Sequence, residues 1–163
     1  MKPEEMLGGG SHLPVLALAV HRTTGPVLEC GIGIFSTALL HLLCLGRPLV
    51  SLESDAEWLE KLSYLRTPTH EFHHVPRWDD ALPLLQSRFW AVAFVDHGDG
   101  EHRRLEVERL AQHAHFIVVH DSELASQSGY HYESTFAQFK YRTDVRLWMP
   151  ETTIVSQFEK FTL

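Results

Sequence analysis

Apolar residues in this chain fall into short runs separated by longer mixed segments, and each short run closes on an acid or another polar side chain. Runs of four to six apolar residues suit strands, and ten-residue segments with polar residues interleaved suit helices. The clearest run is W-A-V-A-F-V, residues 90 to 95, which has no polar position and so reads as a strand buried on both faces. Further strands are predicted at Pro26 to Glu29, Pro48 to Leu52, Glu71 to Val75 and residues 116 to 119, with a last pair at Asp144 to Trp148 and Thr152 to Phe158. Helices are expected at His12 to Arg22, Ser36 to Leu45, Ala56 to Leu65, Asp80 to Gln86, Arg103 to His113 and Tyr132 to Phe139. Ser11 is placed to cap the first of these, with Pro14 in its first turn, and Gly46 stops the second.

Strands alternating with helices build a mostly parallel sheet. The link holding Pro150 is too short for a crossover helix, so the final two strands should be antiparallel to each other. In such sheets ligands bind at the carboxyl ends of the strands. The residues there are the natural candidates for chemistry.

The first strand runs into G-P-V-L-E-C-G-I-G-I-F-S, residues 25 to 36: a strand, a turn with Gly31 and Gly33, and the start of a helix. Glycines at such a turn permit positive φ and close approach of a ligand, and the helix start offers free N–H groups. A dinucleotide fingerprint needs a third glycine or alanine where Ser36 stands, and a P-loop needs Gly-Lys-Ser/Thr, which is absent. Glu29 would repel a pyrophosphate but suits a cationic or hydroxyl-bearing ligand. Glu53, at the end of the second strand and about 20 residues beyond the turn, stands where ribose hydroxyls are read. Trp78 and Asp79, near the end of the third strand, offer an aromatic plane and an acceptor for an adenine, or Asp79 serves only as a helix cap. The fourth strand ends in D-H-G-D-G-E-H and the fifth in H-D-S-E, so each delivers an Asp and a His to the same edge.

Composition narrows the partners. With 44% hydrophobic and 21% charged residues the 163-residue chain falls among globular proteins and has room for one domain, residues 1 to 163, of which 1 to 11 are expected to be flexible. A net charge of −7 disfavours a nucleic-acid partner; the local basic clusters, Arg103 with Arg104 and Lys140 with Arg142, read better as solvated faces. Twelve histidines are scattered without the spacing of a zinc motif. Two cysteines, Cys30 and Cys44, in apolar surroundings suit a reducing compartment, and no window is long and apolar enough for a membrane span. A cytoplasmic location is the expectation.

The pieces V-L-E-C-G-I-G-I-F-S-T, S-L-E-S-D, F-V-D-H-G-D-G-E-H-R and I-V-V-H-D-S together resemble the class I S-adenosylmethionine-dependent methyltransferases, and within them small catechol O-methyltransferase-like and sugar O-methyltransferase-like enzymes. The resemblance spans about Gly25 to Phe158. It implies a Rossmann-like seven-stranded α/β fold, mostly parallel with a C-terminal antiparallel pair and helices on both faces. It also implies S-adenosyl-L-methionine as cofactor, lying across Glu29, Cys30, Gly31, Gly33 and Ser36, with Glu53 and Ser54 at the ribose, Trp78 and Asp79 at the adenine, and Asp96 and His97 alongside. In the catechol enzymes the positions of Asp96 and Asp121 are magnesium ligands. The third ligand position, an asparagine there, is Ser122 here, so magnesium is a candidate rather than an expectation.

The family's catalytic lysine position is Asp99, which leaves Asp96, Asp99, His102 and His120 as candidates for the acid–base work. The function so implied is methylation of an oxygen on a small polar molecule. The alternatives are a non-catalytic cofactor-binding or scaffold protein, and a nucleic-acid or polypeptide methyltransferase; the Asn/Asp-Pro-Pro-Tyr motif of amino-methylating enzymes is missing after the fourth strand. A homo-oligomer would leave room for a partner chain to complete the acceptor pocket.

Overall fold

The computed structural model describes residues 9–123 and 129–163; most of the end expected to be flexible, residues 1–8, lies outside them. Seven strands form one sheet: β1 (Val27–Cys30), β2 (Leu49–Glu53), β3 (His70–His74), β4 (Trp90–Val95), β5 (Ala114–His120), β6 (Tyr141–Val145) and β7 (Thr152–Ser156). Their order is β3-β2-β1-β4-β5-β7-β6, and β7 alone runs antiparallel to its neighbours. This is the expected sheet. The order reverses between β1 and β4, and the crevice of an open α/β sheet lies outside the strand ends at such a point.

Alternation along the strands divides the core into two layers. Leu28, Ala93, Val95, Ile117 and Val119 pack with Trp78, Leu85, Val107, Leu110 and Phe136 on one face. Val27, Val92, Phe94, Phe116 and Val118 pack with Val15, Leu16 and Leu40 on the other. Helices α1 (Leu13–His21) and α2 (Ser36–Leu43) thus cover one face, and α5 (Gly100–Leu110) and α6 (Tyr132–Phe136) the other. Two further short helices, α3 (Ala56–Lys61) and α4 (Leu82–Leu85), lie between strands in the chain. Among the described residues no helix is long and apolar enough to cross a membrane.

The caps explain where helices begin. Asp55 accepts from the Glu57 N–H at 2.8 Å and starts α3. Asp99 accepts from the His102 N–H at 3.3 Å, so α5 begins at Gly100, earlier than the polar run implied. Gly46, at φ +83°, ends the turn after α2. Ser11 is not the cap of α1. That position is His12, without a side-chain cap bond, and the Ser11 hydroxyl turns instead to Pro150 and His120. Strand β6 also differs: it pairs with β7 from Tyr141 to Val145, and the apolar Leu147, Trp148 and Met149 stand exposed in the link. Hydrophobicity there marks surface, not strand.

Candidate active site

At the carboxyl ends of β1, β2 and β4 lies a cleft of about 400 Å³ walled by Ile32, Glu53, Trp58, Asp96, His97 and Asp99, with Ser54, Asp55, Gly98 and Arg103 completing it. Four of the residues expected at a cofactor, Glu53, Ser54, Asp96 and His97, line it. Glu53 is anchored from three sides: Oε2 accepts from the Ile32 N–H at 3.0 Å, and Oε1 from the N–H groups of Ser54 at 2.7 Å and Asp55 at 2.9 Å. The Ser54 hydroxyl adds a third bond to Oε1 at 3.2 Å. Counting two lone pairs per oxygen, only Oε2 keeps an acceptor position for a ligand.

The glycine turn is built for the chain itself. Gly31 has φ +95°, and a Cβ there would fall 2.5 Å from the His97 Cα. The backbone after β4 approaches Gly31 closely, which accounts for a glycine here. Beneath it Glu29 is fully buried; Oε1 accepts from the Thr37 hydroxyl at 3.0 Å and Oε2 from Ser51 at 2.6 Å. The Thr37 hydroxyl in turn accepts from the Gly33 N–H at 2.9 Å, so the acid fixes the turn through Thr37. Burial pushes the Glu29 carboxyl up to about 7, against the pull of the Ser51, Ser36 and Thr37 hydroxyls. Glu29, Cys30, Gly31 and Ser36 are buried and Gly33 is half-buried, and none of the five lines the cleft.

Trp78 and Asp79 are not brought to the cleft either. The Trp78 ring is buried in the core and stacked on the His97 ring at 3.8 Å between centroids. Asp79 is exposed and paired with Arg109 at 2.7 Å, which holds its carboxyl below the usual range. The aromatic wall comes from Trp58 of α3, which the sequence pattern did not single out. His97 is buried; burial, then the nearby Arg103 charge, lower its imidazole to about 3. Its Nε2 lies 3.1 Å from Glu106, and its Nδ1 has no partner among the described residues.

Arg103 is the other residue the pattern misplaced. Expected on a solvated basic face, it is buried, with Nη2 3.2 Å from Asp96, Nη1 3.0 Å from Asp121, and Nε donating to the His97 carbonyl at 2.5 Å. Its guanidinium bridges the two carboxylates that the resemblance assigned to magnesium. The third assigned ligand, Ser122, is buried, with its hydroxyl 2.9 Å from the Thr153 hydroxyl. Asp96, Asp121 and Ser122 thus do not fit a magnesium ion, because a cation already joins the acids.

His120 also pairs with Asp96, at 3.2 Å from Nδ1. Burial opposes its charge, but the Asp96 hydrogen bond and charge raise it above the ordinary histidine value; burial likewise opposes Asp96, whose carboxyl is held low by His120 and Arg103. Asp99 and His102 form a separate pair on the first turn of α5, Nδ1 to Oδ2 at 2.8 Å.

With this geometry in hand, comparison places the fold. No family model matches the chain, and no curated protein matches its sequence. Solved structures do. A Klebsiella pneumoniae protein assigned as an O-methyltransferase is 17% identical, covering 87% of this chain and 78% of its own, with TM-score 0.68. Cofactor-bound Rv0187 from MTB is 18% identical over 89% of this chain and 79% of its own, TM-score 0.69. The N-methyltransferase NodS from Bradyrhizobium japonicum is 11% identical over 89% and 92%, TM-score 0.60. The chain has the class I methyltransferase fold.

Proposed function

We propose that the protein is an S-adenosylmethionine-dependent methyltransferase acting on an oxygen of a small polar molecule. The observation that carries this reading is the cleft at the point where the strand order reverses, with anchored Glu53 on one side and anionic Asp96 on the other. When bound, the cofactor supplies an electrophilic methyl group on a cationic sulfur.

The chain's own residues then have separable tasks. Glu53 offers Oε2 to a ribose hydroxyl, and Ile32 and Trp58 give apolar walls. Asp96, kept ionised by its partners, opposes positive charge in the cleft. Asp99, on the cleft wall, lies 2.8 Å from His102 Nδ1, and His102 is the imidazole nearest that wall to serve as base for an acceptor hydroxyl. The oxygen preference follows from this dyad, and the small polar acceptor from the polar cleft edge.

Calorimetry with S-adenosylmethionine and its demethylated product tests the reading, with Glu53→Ala as control. Binding to the wild type and at least about tenfold weaker binding to the variant are expected from loss of a charged hydrogen-bond partner. No binding by the wild type would overturn the proposal. Labelled methyl transfer to a metabolite pool then separates a catalyst from a binder; His102→Gln should slow transfer while leaving cofactor affinity intact.

A further inference from the structure

Phe94 and Val118 are register partners on adjacent strands and point to the face covered by α1. Asp96 and His120, two residues further along each strand, follow on that same face. His12, just before α1, comes down on them from the helix side, its ring 4.7 Å from Phe94 and 4.5 Å from His120. One ligand atom from each of His12, Asp96 and His120 lies within 4.8 Å of the other two. Residues from three distant parts of the chain meet here.

One observation shows that this cluster lacks a member, and a second shows that a positive centre belongs beside Asp96. His12 is 2% exposed, and neither ring nitrogen has a partner among the described residues. An imidazole sealed away without a partner pays its desolvation with no return. The second observation concerns the proton. The Ser11 hydroxyl donates its one hydrogen to the Pro150 carbonyl at 2.8 Å, so towards His120 Nε2, at 2.9 Å, it can only accept. Nε2 therefore carries hydrogen, and Nδ1 faces Asp96 Oδ2 at 3.2 Å and Asp121 Oδ1 at 3.5 Å, a position that either a proton or a metal ion can fill.

We propose that His12, Asp96 and His120 are a binding site for a borderline divalent transition metal of the zinc, cobalt(II) or iron(II) class. Two imidazoles and one carboxylate are the donor set these ions take, with open positions left for water or substrate, whereas magnesium prefers oxygen alone. Arg103 uses the Oδ1 atom of Asp96, so Oδ2 remains for the ion. Ser11 supplies the outer hydrogen bond that holds a ligating histidine in one tautomer. The ion displaces any proton on Nδ1, which leaves to solvent. The site shares Asp96 with the acid pair bridged by Arg103 but does not use Asp121.

The test uses the full chain, metal-free, without cofactor, so its failure leaves the methyltransferase reading untouched. Titration with cobalt(II) and zinc is expected to give one ion per chain, with cobalt ligand-field bands in the visible. X-ray absorption of the zinc form should show two imidazoles and oxygen donors. His12→Ala and His120→Ala should each weaken uptake at least about tenfold, while Asp121→Asn keeps it. No stoichiometric uptake, a metal shell without imidazole, or uptake unchanged in His12→Ala overturns the site. The absorption spectrum of the wild type decides the matter even where a variant does not fold.

Discussion

A carboxyl group sealed beneath a turn, as Glu29 is, couples protonation to folding. Its native value near 7 lies above the 4.5 of the free side chain, so the folded chain keeps a proton that the unfolded chain releases. Stability from this group is full below about pH 4.5 and is lost as pH rises to about 7, amounting to about 3 kcal/mol. Glu29→Gln removes that dependence. Urea unfolding of both proteins should show the variant gaining about 2 kcal/mol relative to wild type between pH 5.5 and 8; equal differences at the two pH values would refute the assignment. Sequence showed that an acid belonged at this position and not where it would point. The register of β1 on β2 sets Glu29 beside Ser51, with Thr37 reaching it from α2, and only the folded register reveals those partners.

At the scale of elements, the ends of β1 and β4 lock together backbone to backbone. Gly31 sits against Asp96 and His97 so closely that any side chain would strike main-chain atoms, which cannot rotate away. Gly31→Ala should cost about 3 kcal/mol or more in urea unfolding, from the φ of +95° and the clash together. Gly33→Ala serves as the control: its Cβ would meet only the Ser36 Oγ at 3.5 Å, and stability should stay within about 0.5 kcal/mol. The central strand β4 was legible because it is written as an unbroken apolar run, and the others because short apolar runs close on a polar side chain between helical segments. Boundaries were less so: the Asp99 cap starts α5 early, and the apolar residues of the β6–β7 link imitate a strand.

For the whole molecule, the two core layers share the same strands, so neither can melt alone. Phe94 on one side and Val95 on the other belong to a single central strand. Phe94→Ala should lower stability by about 3–5 kcal/mol, with tryptophan fluorescence and circular dichroism shifting together in denaturant; separate transitions would show independent layers. The sheet could be assembled from local pattern, but the site could not. Arg103 between two acids, and His12 above Asp96 and His120, depend on contacts between remote segments that no spacing rule scans. The histidine pair at the helical i,i+4 interval, His70 and His74, lies on strand β3, whereas three-dimensional packing gathers His12 and His120 around a carboxylate.

The chain of bonds from Glu29 through Thr37 to Gly33 has a consequence for association kinetics. It holds the turn in its shape by internal donors and acceptors, and the Ile32 N–H is already spoken for by Glu53. Ordering backbone costs about 1–2 kcal/mol per residue, and here that entropy is surrendered during folding rather than at the encounter with a ligand. A molecule entering the cleft meets a rigid receptor, and its arrival rate should be set by diffusion and access, with no slow closing step of this turn.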